Sequence, residues 1–463
     1  MSAHALPYGT HFDDVMVIIG FGKGHLRLLC TCGLLLMFTI TETMGMAIIA
    51  PRSACEFASS EQAKAAIQAA AYIGMILSSY MWGYFCDKIG RRTVLLRSTA
   101  MAIVCSFSSM LITNFWIFLT LRFMTGICVA GPGFAALTYL GEFCTPKNRA
   151  SIINYMCMFN GIAMVYCPGL SQLMVNWKLY IPIIGNLIIR PWRILGLLFS
   201  VPGWISFLLL LRLPESPKFL LLVNKNEECS EVLNWLCRLN NGKTLEDFGI
   251  TNMRALLQSG VTPAPNVFRA MAQEVVPLFR HPYIKRFLIS CVVMFGLLLV
   301  ANGVAIWFTD IRNHTLTLEQ ENKNKSHEME FSICEAIRHN KKLAKETMPI
   351  FCISLTISGI CGICLPFVTS SPLIPLTFIL YLSIPAVMTN LMNSAVLEFI
   401  PTYVRGKAVC ICLIFGRFGA VFGTTIMAQL IESFCFEAFM LFSCFPFVCA
   451  ICGYFLPLDE HFF

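Results

Sequence analysis

The sequence predicts an all-α protein that crosses a membrane many times, built from two related halves of six helices with the eighth helix missing, eleven spans in all. Three observations predict it. Of the 463 residues, 57% are hydrophobic and only 13% are charged, with a mean hydropathy of +0.69, whereas soluble domains carry roughly 25% charge. The apolar residues gather into runs of membrane length. A charged phrase that closes one run, EFCTPKNR at Glu142–Arg149, returns as EFIPTYVR at Glu398–Arg405.

A hydrocarbon core of about 30 Å requires about 20 mostly apolar residues per helix. Runs of that kind occupy 26–50, 63–86, 93–113, 115–140, 151–175, 194–211, 285–308, 347–368, 372–397, 408–431 and 436–456. Residues 1–23 lack a separate apolar core with a small-residue cleavage site, so the first run is expected to remain as a helix behind a cytoplasmic N-terminus, 1–25. Basic residues collect in alternate connections: Lys88, Arg91, Arg92 and Arg97; Lys147 and Arg149; and a series from Arg212 to Arg286. The positive-inside rule places those connections in the cytoplasm. The expected organisation is an N-terminal bundle over 26–211, a cytoplasmic central loop over 212–284, and a C-terminal bundle of five runs over 285–456. An outside loop spans 309–346, and a tail spans 457–463.

Sliding the chain by the separation of Glu142 and Glu398, 256 positions, lays the first, third, fourth and fifth runs on 285–308, 347–368, 372–397 and 408–431. The chain is therefore read as a duplication, as in transporter folds built from repeated bundles. The second run falls on 319–342, EQENKNKSHEMEFSICEAIRHNKK, where each charge at the bilayer centre would cost about 2.5–3.5 kcal/mol. One helix of the second half is missing. The ends of this segment agree: the glycosylation sequons at Asn313 and Asn324 suit the outside, while RHNKKLAK at 338–345 suits the cytoplasm. A span between Ile337 and Arg338 would reconcile them, so an incompletely assembled or spliced product is one reading.

The net charge of +8 is spread through loops, which argues against a nucleic-acid partner. Most of the 22 cysteines lie in apolar runs, where a thiol acts as a small hydrophobe. Cys55 and Cys334 fall in connections expected to face the oxidising side, where they pair or stay free. Zinc spacing, a Walker loop and a nucleophile elbow are absent from the sequence, which argues against an enzyme, a cofactor, a metal site and an ATP-driven pump.

Between the second and third runs stands WGYFCDKIGRRTVLL, with Gly83, Asp87, Gly90, Arg91 and Arg92 at fixed places. Glycine allows a tight turn there, and the arginines meet a carboxylate or a helix end at the membrane face. This loop resembles the signature of the major facilitator superfamily. RFMTGICVAGPG, Arg122–Gly133, resembles that family's arginine and glycine-rich motif, and Gly419–Gly423 repeats the small-residue pattern that brings helix backbones together. LPESPKFLL at 213–221 matches a phrase shared by the sugar-porter and organic-ion branches. Ser216 is expected to cap a helix that begins at Pro217.

FGKGHLRLL, TETMGMAIIAP, TYLGEFCTPKNRASIINYMCMF and IWFTDI together resemble the synaptic vesicle glycoprotein 2 relatives within the superfamily, across almost the whole chain. That family carries two acids in its first helix; this chain has Glu42 and, at the other position, Thr39. Asn160 replaces an expected aromatic. Trp307, Phe308 and Asp310 match a W-F-P-D phrase in which Thr309 replaces proline.

Charges inside membrane helices are functional candidates by default. The resemblance implies that Glu42 faces a central cavity. There it either couples transport to a proton or cation, or forms a structural ion pair with Arg122 or Arg417. Trp307 either faces a ligand near the outer mouth or anchors an interface, and Arg417 lies at a cavity or an interface. Asp87, Arg91, Arg92, Glu142, Arg149, Glu398 and Arg405 read as charges of a conformational gate. The implied function is secondary transport of a small organic solute, an organic ion or sugar-like molecule, by alternating access in a plasma or vesicle membrane. A non-transporting receptor or scaffold on the same fold is the alternative.

Overall fold

A computed structural model describes residues 12–57, 60–174, 177, 181–182, 188–248, 279, 283–303, 347–367, 373–399, 405–430 and 434–454, with some side chains at helix ends excepted. Over its described residues, each of the eleven runs coincides with helix to within a few residues. The first half comprises α1 (Phe12–Ile19), α2 (Lys23–Phe57), α3 (Glu61–Ile89), α4 (Arg91–Leu111), α5 (Phe115–Glu142), α6 (Pro146–Leu173), α7 (Pro191–Phe199) and α8 (Val201–Leu210). Then come α9 (Pro217–Leu222) and α10 (Asn226–Asn241), followed by α11 (Tyr283–Gly303), α12 (Thr347–Cys364), α13 (Leu373–Phe399), α14 (Arg405–Leu430) and α15 (Cys435–Tyr454). A two-residue pairing of β1 (Ile181–Pro182) with β2 (Ile188–Ile189) sits in the connection before α7.

By length and composition, eight helices among the described residues could cross a membrane. The α7–α8 pair counts as one of them. Outside the eight, α3 and α6 interleave Gln, Ser, Tyr and Asn with their apolar residues, and α12 belongs to a shorter apolar stretch, Phe351–Phe367. The polar stretch 319–342, the sequons at Asn313 and Asn324, and Cys334 lie outside the described residues. So does the side chain of Cys55.

The 256-residue spacing holds in the helix boundaries. Shifted by it, α4 covers Thr347–Phe367, the extent of α12 with the short 3₁₀ turn Leu365–Phe367 that continues it. α5 lands on α13 and α6 on α14. Glu142 closes α5 as Glu398 nears the end of α13, and Arg149 lies in the first turn of α6 as Arg405 opens α14. The repeated punctuation falls at the same helix ends in each half.

Local chemistry accounts for the boundaries. Gly90 takes φ +105°, so α3 and α4 meet with one residue between them. Asn114 accepts the Trp116 and Ile117 amides (2.9 and 3.4 Å) and starts α5. Pro146 occupies the first turn of α6, and Gly242 in the left-handed region ends α10. The sixth run is broken at Ser200 into α7 and α8 because Pro202 opens the second piece. The chain divides into two compact units, Met1–Ile49 with Ala70–Val276, and Ala50–Ala69 with Pro277–Phe463.

Within the first unit, a Cβ at Gly126 would fall on the backbone of Ala71, and one at Gly74 on that of Phe123. In the second, Gly419 and Gly423 on α14 meet the backbone of α11 at Phe295 and Leu299 in the same way. These glycines let helix axes close to backbone contact, which is how helices associate in lipid without a hydrophobic force to drive them. The central connection, expected as a loop, contains α9 and α10. On it Asn240 donates to the Gly20 carbonyl and accepts the Gly24 amide (2.9 Å each), tying α1 and the start of α2 to α10.

Candidate functional site

Among the described residues of the first unit, Glu42 and Arg122 form a buried pair of opposite charges. Glu42 lies near the middle of α2 and Arg122 one third along α5, and both are almost wholly buried. Arg122 Nη1 donates to Glu42 Oε2 at 3.1 Å. The other carboxylate oxygen accepts from the Ser106 hydroxyl of α4 at 2.7 Å. Arg122 Nη2 donates to the Ser106 carbonyl at 3.1 Å and to the Ser109 hydroxyl. Its guanidinium also lies 5.7 Å from the centre of the Phe118 ring, and Nη1 touches the Met46 sulfur at 3.7 Å.

Three helices thus meet around two opposite charges. Desolvating either charge alone costs several kcal/mol, which the opposite charge and the bonds to the two serines offset. The two partners left open by the sequence resolve here: Glu42 pairs with Arg122, and Arg417, buried on α14, belongs to the other unit. Nε of Arg122 finds no acceptor among the described residues. A guanidinium fixed on one edge and unsatisfied on another can respond when its carboxylate changes charge.

A second cluster gathers at the basic end of the same helices. Arg91, first residue of α4, donates from Nε to Glu142 Oε1 at 3.0 Å, from Nη2 to Asp87 Oδ1 at 2.9 Å and from Nη1 to the Cys86 carbonyl at 2.9 Å. Its guanidinium covers the Phe219 ring of α9 at 5.2 Å. The second oxygen of Glu142 accepts from the Ser216 hydroxyl, and that hydroxyl oxygen accepts the Phe219 amide at 3.3 Å as the cap of α9. Arg149 Nε donates to the Gly141 carbonyl at 3.0 Å across the α5–α6 bend. Arg92 reaches the Leu211 carbonyl at 2.9 Å.

Sequence reasoning missed one member of this cluster. Glu215 accepts the Arg92 amide at 2.8 Å and the Thr93 amide at 3.3 Å, supplying the carboxylate that the start of α4 lacks because Gly90 has no side chain. A negative charge at a helix N-terminus is favourable both as a cap and through the helix dipole. The signal was present as the acid inside PESP, but nothing in the sequence pointed it at α4.

Asn160 sits half-buried on α6. Glu398 and Arg405 lie within α13 and α14 with side chains outside the described set, and Trp307 and Asp310 are outside the described residues altogether. Among the described residues, no group of three or more metal-ligating side chains comes together.

Apolar helices in two repeats, with an ion pair inside the first and a charged cluster at the end of its helices, give the fold of the major facilitator class. The chain belongs to the family described as sugar (and other) transporter, whose model matches residues 29–318. Human synaptic vesicle glycoprotein 2A is 23% identical over 336 residues, covering 68% of this chain and 45% of that protein. Human synaptic vesicle glycoprotein 2B is 23% identical over 342 residues, covering 68% and 49%. The chain thus spans about half the length of these curated relatives. Among solved structures, the inward-open xylose transporter XylE from E. coli superposes with a TM-score of 0.63 at 16% identity, over 94% of this chain and 97% of that one. That likeness establishes the fold. The protein is a multi-pass membrane protein of a secondary-transporter family.

Proposed function

We propose that this chain carries a small organic solute, sugar-like or an organic ion, across a plasma or vesicle membrane by alternating access, with proton linkage through Glu42. The buried Glu42–Arg122 pair carries the reading. Protonating Glu42 cancels the charge that fixes Arg122, and the guanidinium must then find another acceptor in a region with few. Such a site converts one proton into a rearrangement of α2, α4 and α5. The Arg91–Asp87–Glu142 latch supplies the second element, a set of bonds that rocking of the bundle would break and remake. The substrate of XylE, xylose, supports a sugar-like cargo. The likeness to the synaptic vesicle glycoproteins supports a vesicle membrane.

Uptake into proteoliposomes of labelled xylose and a panel of organic cations, with and without an inward proton gradient, tests this. Wild-type protein should accumulate one of these solutes against its gradient. Glu42→Gln should keep solute exchange while losing accumulation. A second reading, a receptor or scaffold that lacks turnover, is favoured by the polar stretch 319–342, where the repeat calls for a span. It predicts no uptake of any panel member by the wild-type chain. Sequencing of full transcripts across the codons for Ile337 and Arg338 separates that outcome from a spliced product.

A further inference from the structure

Cys291 on α11 and Cys412 on α14 are both buried, and their Sγ atoms lie 3.6 Å apart. The two helices are held at backbone contact further along, where Gly416 abuts the Met294 carbonyl, Gly419 abuts Phe295 and Gly423 abuts Leu299. Backbones pinned in this way keep the thiols from drifting apart.

Packing does not demand sulfhydryls at these two places. In the other repeat, 256 residues earlier, the equivalent positions hold Leu35 on α2 and Met156 on α6, and both are fully buried. An aliphatic side chain and a thioether fill the corresponding positions, so the second half has placed two thiols, able to join, where the first has none.

We propose that Cys291 and Cys412 are a disulfide-forming pair, a modification site that staples α11 to α14. The inference is independent of the transport reading. A sulfur–sulfur bond is about 2.05 Å long, so the two atoms must close by about 1.5 Å, a distance within reach of side-chain rotation between fixed helices. The oxidant this environment admits is an apolar hydroperoxide dissolved in the bilayer. One thiol attacks the peroxide oxygen, giving a sulfenic acid and an alcohol; the second thiol then displaces hydroxyl from that sulfur, giving the disulfide and water. Two electrons leave the sulfurs and cleave the O–O bond, and the two thiol protons leave in the alcohol and the water. Glutathione, being charged, stays in the aqueous phase, so the bond persists once made. Its ends are 121 residues apart in sequence, which restricts the unfolded chain and raises stability.

The test uses the full chain in lipid nanodiscs, treated with cumene hydroperoxide, blocked with N-ethylmaleimide, digested and analysed by mass spectrometry without reduction. A peptide pair joining Cys291 to Cys412, lighter by two hydrogen atoms than the separate thiols, is expected. So is a rise in Tm that dithiothreitol reverses. The double variant Cys291→Leu/Cys412→Met carries the residues of the other repeat, so it should fold yet show neither change. The exposed Cys364 and Cys444 report that the oxidant has acted. If they are oxidised while Cys291 and Cys412 are recovered as thiols, the proposal is overturned. An equal rise in Tm in the double variant overturns it too.

Discussion

The two halves share their helix boundaries but differ in what they bury. The first half places Glu42, Arg122, Ser106 and Ser109 where three helices meet. At the equivalent positions of the second stand Leu298, Phe378, Gly362 and Leu365. There Phe378 is fully buried, and the Tyr381 ring lies against Gly362. The same backbone arrangement therefore tolerates either an ionic or an apolar centre. Membrane folding does not require the ion pair, which costs desolvation that an apolar centre avoids. A feature that is dispensable for folding in one copy and retained in the other is the feature to test for function.

The comparison breaks most sharply at Arg122. Arg122→Ala leaves an uncompensated carboxylate in the protein interior and should cost about 3–5 kcal/mol, read as a large fall in the Tm of purified protein. Installing the other half's residues, Glu42→Leu with Arg122→Phe, should recover that loss and add up to about 1–4 kcal/mol, while solute accumulation stays abolished. Single and double variants of equal stability would mean that the pair is hydrated and the contrast between halves is superficial.

A smaller effect is expected at the latch. Glu142→Gln removes the charge from a bond to Arg91 and should lower stability by about 1.5–3 kcal/mol, with faster hydrogen exchange at the start of α4. Smaller again, Glu215→Ala uncaps α4 and should cost about 1 kcal/mol. Glu215→Gln, which keeps an acceptor for the Arg92 and Thr93 amides, should recover part of it. No change in either variant would reassign Glu215 to the surface.

The least effect lies outside the membrane, at Asp247. Its carboxylate accepts from the Thr244 amide (2.7 Å) and hydroxyl (2.9 Å), and the amide bond followed by the hydroxyl bond holds its pKa below the usual aspartate value. Because the folded pKa is depressed, the contribution is complete above the ordinary aspartate range and fades as pH falls through the folded value. The protection factor of the Thr244 amide, its exchange rate relative to the free peptide at the same pH, should fall in acid for the wild type and be low at all pH in Asp247→Ala.

Period, length and repetition were legible in the sequence because lipid imposes them: every run became helix, and the 256-residue spacing survived in the boundaries. Ser216 and Pro217 began α9 as their chemistry dictates. Partners were less legible. Two arginines competed for Glu42, and only the packing of α2 against α5 chose between them. Glu215 and Ser106 became ligands through neighbours 122 and 64 residues away, a relation that periodicity does not encode. The first apolar run stops at Ala50, yet α2 continues through Pro51 to Phe57. A proline removes one donor and crowds one carbonyl, and a long helix absorbs that where neighbouring groups satisfy what is freed.

That continuation has a geometric consequence. At 1.5 Å per residue, the 35 residues of α2 form a rod of about 52 Å, far more than the roughly 30 Å of hydrocarbon in a typical bilayer. Upright or tilted, the rod must emerge into the headgroups, carrying Arg52 and the turns beyond Pro51 toward water. A fluorophore at Phe57 should accordingly be quenched by aqueous iodide and spared by brominated acyl chains, whereas one at Ile40, partly exposed near the middle of the helix, should show the reverse.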